Sequence, residues 1–267
     1  MFNTLPALPY PIIDTHAHYD DAMFDGTRDE LFKQMERYGV RKIINNSVDL
    51  KDSAKLILDL AQKYRICLSA VGIHPEMVER YGMALDTKRL KQLACDKSVV
   101  AIGEIGLDYH YSTDRKEQQI SVFKEQCLIA NELDLPVIIH DRDAHNDTFQ
   151  IVNEVRPRGV IHCFSGSKEL ALQYVKLGFY IGIGGVLTFK NARKLVEVAE
   201  TIPLDKILLE TDAPYLAPVP FRGKQCNSAL IYYTAQRLSE IKGIDIETVL
   251  KVAAQNASKL YGDRLEI

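Results

Sequence analysis

Two histidines stand two residues apart in Asp14-Thr15-His16-Ala17-His18, directly after the apolar pair Ile12-Ile13. On extended chain that spacing turns both imidazoles to the same side, where they can share one cation. Alone, the pattern equally describes two polar histidines in a loop. Glu104, in Gly103-Glu104-Ile105-Gly106, and Asp212, in Glu210-Thr211-Asp212-Ala213-Pro214, end runs that are otherwise apolar. A carboxylate buried there is costly without a cation or hydrogen-bond donors beside it. His140 closes Val137-Ile138-Ile139, and His162 closes Val160-Ile161. Either could be a satisfied core histidine. Together with His16, His18, Glu104 and Asp212 they make a nitrogen and oxygen donor set sufficient for two divalent cations.

Residues this far apart meet only if the fold gathers them. Apolar, β-rich runs recur at Ile12-Ile13, Arg41 to Asn45, Ile66 to Ile73, Val99 to Ile105, Pro136 to His140, Gly159 to Cys163, Phe179 to Gly184 and Lys206 to Glu210. Between them lie amphipathic helical patterns at Arg28 to Tyr38, Asp52 to Lys63, Lys88 to Ala94, Arg115 to Leu133, Thr148 to Val155, Lys168 to Leu177 and Ala192 to Glu200. Two further helices are expected near Asn227 to Ile241 and Ile246 to Tyr261. Strict alternation implies a parallel sheet covered on both faces, and eight units favour closure into an α/β TIM (β/α)₈ barrel. Such a barrel brings its strand C-termini onto one face, where five of the seven histidines fall. No linker, repeat or composition break divides the chain, so residues 1–267 are expected to form one domain. The stretch Pro214, Pro218, Pro220 reads as an active-site loop after the last strand.

The bulk properties narrow the function. With 46% hydrophobic and 26% charged residues the chain is of globular type. Met1 to Tyr10 shows no basic region followed by an apolar stretch, and no segment approaches the roughly 18 apolar residues of a membrane span. A cytoplasmic, monomeric protein without membrane contact is expected. The cysteines Cys67, Cys95, Cys127, Cys163 and Cys226 are odd in number and lack a CxxC pair, as reduced thiols do. A net charge of −3 provides no global attraction for a polyanion, so contact with nucleic acid requires a local basic groove or bound cations.

Six stretches in order, Ile13 to His18, Gly72-Ile73-His74-Pro75, Gly103 to Tyr109, Pro136 to His140, His162-Cys163-Phe164-Ser165-Gly166 and Glu210 to Leu216, resemble the TatD deoxyribonuclease family of metal-dependent hydrolases. The resemblance covers nearly the whole chain. It implies that His16, His18 and Asp212 hold one metal, that His140 and His162 hold the other, and that Glu104 bridges both. Zinc, manganese or magnesium would suit such donors. Tyr19 stands where many members have Leu, and Gln225-Cys226-Asn227-Ser228 replaces an Arg-Asn-x-Pro run. Both departures are expected to affect substrate contacts rather than metal chemistry.

The resemblance implies hydrolysis of DNA phosphodiesters by a metal-activated water, with Asp212 as general base and Glu104 as second candidate. His74 is expected either to meet a substrate phosphate or to cap a turn before Pro75. Arg142 and Arg222, just past the fifth and eighth strands, could clamp a phosphate. Tyr109, Tyr111, Phe164 and Tyr215 either stack on bases or pack against the rim. His110 and His145 are expected to be exposed. Gly182, Gly184 and Gly185 suggest close backbone approach at the barrel mouth. Ser165 lacks the GxSxG turn of a nucleophilic serine. The expected substrate is single-stranded or frayed DNA, possible alternatives being RNA, or an ester or amide such as aminoacyl-tRNA, because the same chemistry attacks carbon. A metal-bound scaffold without turnover is the third reading.

Overall fold

The computed structural model describes residues 10–265. Residues 1–9, read above as free of a leader pattern, and residues 266–267 lie outside the described part. Eight strands form one parallel sheet in sequence order: β1 (Ile12–Ala17), β2 (Val40–Asn46), β3 (Cys67–Val71), β4 (Val99–Asp108), β5 (Val137–Arg142), β6 (Gly159–Ile161), β7 (Tyr180–Ile183) and β8 (Ile207–Leu209). The Ala17–Ala213 bridge brings the ends together, and the Thr15 hydroxyl donates to the Leu209 carbonyl across the same seam. This is a TIM barrel.

Around it run α1 (Arg28–Arg37), α2 (Asp52–Lys63), α3 (Pro75–Tyr81), α4 (Thr87–Ala94), α5 (Lys116–Glu132), α6 (His145–Val155), α7 (Lys168–Lys176), α8 (Arg193–Thr201), α9 (Ile231–Lys242) and α10 (Ile246–Tyr261). None of the described helices is long and apolar enough to cross a membrane. The main apolar cluster joins strand residues such as Ile43, Val71 and Ile139 to helix residues such as Phe32, Ile57 and Phe123. A second cluster takes Ile13, Ile44, Leu68, Val100, Ile138, Val160, Tyr180 and Leu208 from the eight strands and packs them on Ala254, Ala257 and Leu260 of α10. Burial of strands on both sides explains their near-continuous apolar runs.

The structure differs from the sequence reading at several boundaries. β1 extends through His16, and its pairing with β2 shifts register between Asp14 and Ala17. β4 runs on to Asp108. α3 was read only as a turn: Pro75 occupies the first turn and the His74 side chain caps it, a start signal hidden by the helix's length of seven residues.

Candidate metal centre

The strand ends, and for Glu104 the interior of β4, place His16, His18, Glu104, His140, His162 and Asp212 around one point. His16 and His18 direct their Nε2 atoms at each other, 3.0 Å apart. Glu104 Oε2 lies 3.3 Å from His16 Nε2 and 3.2 Å from His18 Nε2. Asp212 Oδ1 is 3.6 Å from each of these nitrogens. The other oxygen of Glu104, Oε1, is 2.7 Å from His140 Nδ1 and 3.1 Å from His162 Nε2. One carboxylate, only 2% exposed, therefore faces a different histidine pair with each oxygen.

These separations suit cations. Donors about 2.1 Å from a shared ion sit about 3.0–3.4 Å apart in octahedral or tetrahedral geometry. Hydrogen bonding also aims the lone pairs. His18 Nδ1 is 3.0 Å from the Asn46 carbonyl oxygen, which can only accept, so the ring proton resides there and Nε2 is free to ligate. His162 Nδ1 lies 3.4 Å from Glu210 Oε1. His74 is the opposite case: its Nδ1 accepts from the Glu76 backbone N–H at 3.1 Å, so a neutral ring carries its proton on Nε2, 3.5 Å from Glu104 Oε1. Although His74 shares a compact donor group with Glu104 and His140, its free nitrogen is a hydrogen-bond donor rather than a ligand.

Electrostatics agree with that division. Burial opposes ionisation of Glu104, yet His162, His16 and His74 hold its carboxyl well below the usual range. Burial, with the charge of His162 second, pushes His16 well below 6.5. His18 is pushed up to about 9 because Glu104 outweighs its burial, and His140 reaches about 9 because Asp108 and Glu104 do the same. A divalent cation competes with those protons for the same lone pairs.

Three carboxylates within the motifs had been given no role. Asp108 Oδ2 is 3.0 Å from His140 Nε2. Glu210, 1% exposed, accepts from the Cys163 backbone N–H and faces His162; a Cβ on Gly182 would lie 2.4 Å from its Oε2. Asp14, fully buried, accepts from Thr211 N at 3.0 Å, Thr211 Oγ1 at 2.6 Å and His16 N at 3.2 Å, joining β1 to the segment after β8. Burial pushes Asp14 up to about 7 against those bonds. Their signal was sequence proximity to the ligands, but only distance distinguishes a supporting carboxylate from a ligating one.

Above this floor opens a cavity of about 640 Å³, whose lining includes His18, His74, Glu104, His140, His162 and Asp212. Its rim carries Arg80, Tyr111, Arg142 and Tyr215. The Arg142 and Arg80 guanidiniums both lie over the Tyr111 ring, 5.1 and 5.9 Å from its centroid. Arg222 is not among the lining residues and stacks on Phe189 at 4.3 Å, because the loop after β8 carries it outward. Phe164 is buried at 3% and Tyr109 hydrogen-bonds Asp147, so both pack, whereas Tyr111 and Tyr215 are exposed. His110 is exposed, but His145 is half-buried and paired with Asp141 at 2.9 Å.

The two departures from the family pattern meet each other and not the mouth. Tyr19 and Ser228 are both fully buried, and the Tyr19 hydroxyl accepts from Ser228 N and lies 2.9 Å from Ser228 Oγ. For these two residues the structure gives a buried pairing where a substrate contact was expected: proline lacks the N–H that this tyrosine uses.

The family described as TatD related DNase matches residues 13–262. An uncharacterized metal-dependent hydrolase of Bacillus subtilis, YabD, is 36% identical over 257 residues, spanning 94% of this chain and 98% of its own. The corresponding Escherichia coli K12 protein YcfH is 34% identical, spanning 94% and 95%. The crystal structure of YJJV, a TatD homologue from Escherichia coli K12, superposes with a TM-score of 0.87 at 32% identity, covering 94% of this chain and 97% of that one. By sequence, fold and clustered donors, the chain belongs to the TatD family of metal-dependent hydrolases.

Proposed function

We propose that the protein is a deoxyribonuclease of the TatD type, cutting phosphodiester bonds at single-stranded or frayed DNA ends. The observation that supports this most is Glu104, set between the His16–His18 and His140–His162 pairs below a rim of arginines and an exposed tyrosine. In this reading His16, His18 and Asp212 hold one divalent ion, His140 and His162 the other, and Glu104 touches both. Bound there, zinc, manganese or magnesium supplies Lewis-acid polarisation and a more acidic water.

The chain's own groups do the rest. Asp212, 20% exposed and on the open side of the cluster, accepts the proton of the attacking water, with Glu104 as the second candidate. His74 Nε2–H donates toward a phosphate oxygen. Arg142, 41% exposed on the rim, clamps the same phosphate with its planar fork. Tyr111 offers a ring to an unpaired base. Arg222, which stacks on Phe189, is given no role at this mouth in this reading.

The test compares linear single strands, blunt duplex, closed circular single strands and an aminoacyl ester with metal-replete protein. Trimming of linear strands with the circle left intact supports the reading. Rapid cutting of the circle removes the end dependence, and hydrolysis of the ester with every oligonucleotide intact replaces it with a carbonyl hydrolase.

A further inference from the structure

Beside the mouth, a second cavity of about 340 Å³ lies between the segments that follow β6 and β7. Phe164, Val186 and Leu195 contribute its apolar wall, and Asn191, Arg193 and Lys194 stand at the start of α8. None of its lining residues is acidic. The metal mouth differs sharply, because Asp20, Asp21, Glu76, Glu104 and Asp212 all line it. The two regions are connected: Cys163 and Ser165 line the side cavity and also the space that contains His140, His162 and Asp212.

An apolar slot with cations at one edge suits a flat, weakly polar ring that carries an anion. Its volume falls at the small end of the roughly 300–1,000 Å³ typical of small-molecule sites. The side chains of Ser165, Asn191 and Lys194 have no hydrogen bond or ion pair within the described residues. Ser165 and Asn191 can thus serve a base edge, and Lys194 a phosphate. Arg193 is 91% exposed and only loosely paired with Glu197 at 3.5 Å. We infer that this side cavity receives the nucleobase of the nucleotide next to the cut, with Lys194 and Arg193 on its phosphate. The inference rests on the phosphodiesterase reading above. It also deepens that reading, since a base inside the slot cannot remain paired and the strand must be single at that step.

The experiment titrates zinc-loaded, methyl-labelled protein with deoxyadenosine 5′-monophosphate. Shifts of the Val186 and Leu195 methyl signals are expected, and both Val186→Trp, which fills the slot, and Lys194→Glu should weaken binding roughly tenfold. Lys194 is exposed, so its variant folds even if the tryptophan does not. A titration that moves only signals at the mouth overturns the assignment, as does unchanged binding by Lys194→Glu. Kinetics supply the second arm. Lys194→Glu should raise KM for a dinucleotide that carries a terminal phosphate besides its diester roughly tenfold more than for bis(p-nitrophenyl) phosphate, which has only the diester, and equal losses overturn the inference. If the wild-type protein cuts neither diester, the phosphodiesterase reading fails, while the nucleotide titration still decides the cavity.

Discussion

Tyr19 and Ser228, 209 residues apart, should behave as one unit. The Tyr19 hydroxyl sits in a fully buried site with Met35 Sδ at 3.1 Å and with the Ser228 N–H and Oγ each at 2.9 Å. Ser228→Pro removes both Ser228 partners and leaves a sulfur, a weak acceptor. The backbone itself tolerates proline: Asn227 is extended at φ −152°, ψ 162°, and residue 228 opens a 3-10 turn. The loss is therefore one of hydrogen bonding, about 1–3 kcal/mol. At about 2–4 °C per kcal/mol for a large domain, Tm should fall by roughly 2–12 °C. Tyr19→Leu leaves the Ser228 N–H unpaired and vacates space beside Phe24 and Phe32, whose ring centroids lie 4.6 and 5.0 Å away.

The double variant Tyr19→Leu/Ser228→Pro has neither the unpaired hydroxyl nor the unpaired N–H. Its destabilisation should fall short of the sum of the single losses by about 1–2 kcal/mol. Ser228 also helps to lower the Asp14 pKa, but the loss of that influence occurs equally in both proline-containing variants and cancels in the cycle. Urea midpoints at fixed metal concentration measure all four proteins. Additivity within about 0.5 kcal/mol would refute the argument that the two substitutions compensate each other.

Gly182→Ala would place a Cβ 2.4 Å from Glu210 Oε2 and push that carboxylate from His162, lowering zinc affinity about 10–100-fold in chelator competition. Gly184→Ala, whose added Cβ would have its nearest neighbours at 3.5 Å or beyond, should change affinity by about twofold at most, and equal effects would dismiss the role given to Glu210. Glu104→Ala should lose far more phosphodiesterase activity than His74→Ala at saturating metal, because Glu104 faces both histidine pairs; equal rates would place it outside the centre. Chelation should lower Tm, since an ion at about 100 times its Kd contributes about 2.7 kcal/mol, and an unaltered melting curve would show that nothing was bound.

Much of this was legible because each proposed ligand ends an apolar run, and strand–helix alternation gathers strand ends on one face. His16, His140 and His162 are found at or beside the strand ends where that rule puts them, whereas Glu104 lies inside β4, which runs on to Asp108. Legibility ended where three-dimensional distance takes over from order along the chain. Asp14, Asp108 and Glu210 lie in the same motifs as the ligands, and nothing in their spacing reveals that they hold Thr211, His140 and the Cys163 amide. Arg222 follows β8 as closely as the mouth would require, yet its loop turns toward Phe189. Ser228 was unreadable for a related reason: a departure from a family pattern looks like altered specificity until its buried partner is seen.

The charge balance of the mouth ties its chemistry to its substrate. Five carboxylates line it, Asp20, Asp21, Glu76, Glu104 and Asp212, against the guanidiniums of Arg80 and Arg142. In the metal-free mouth the raised pKa values of His18, His140 and His162 keep protons there that bring this balance close to neutral, in a chain whose net charge is −3. Such a surface offers phosphate no attraction. Two divalent ions that displace those protons would make the same mouth one charge positive, so they would create the attraction for the proposed DNA substrate as well as the polarisation proposed to cut it. Lys194 and Arg193 lie beyond that acidic ring, in a cavity with no acid of its own. They can hold the neighbouring phosphate whether or not the metals are present, which gives the strand an anchor that the centre itself lacks.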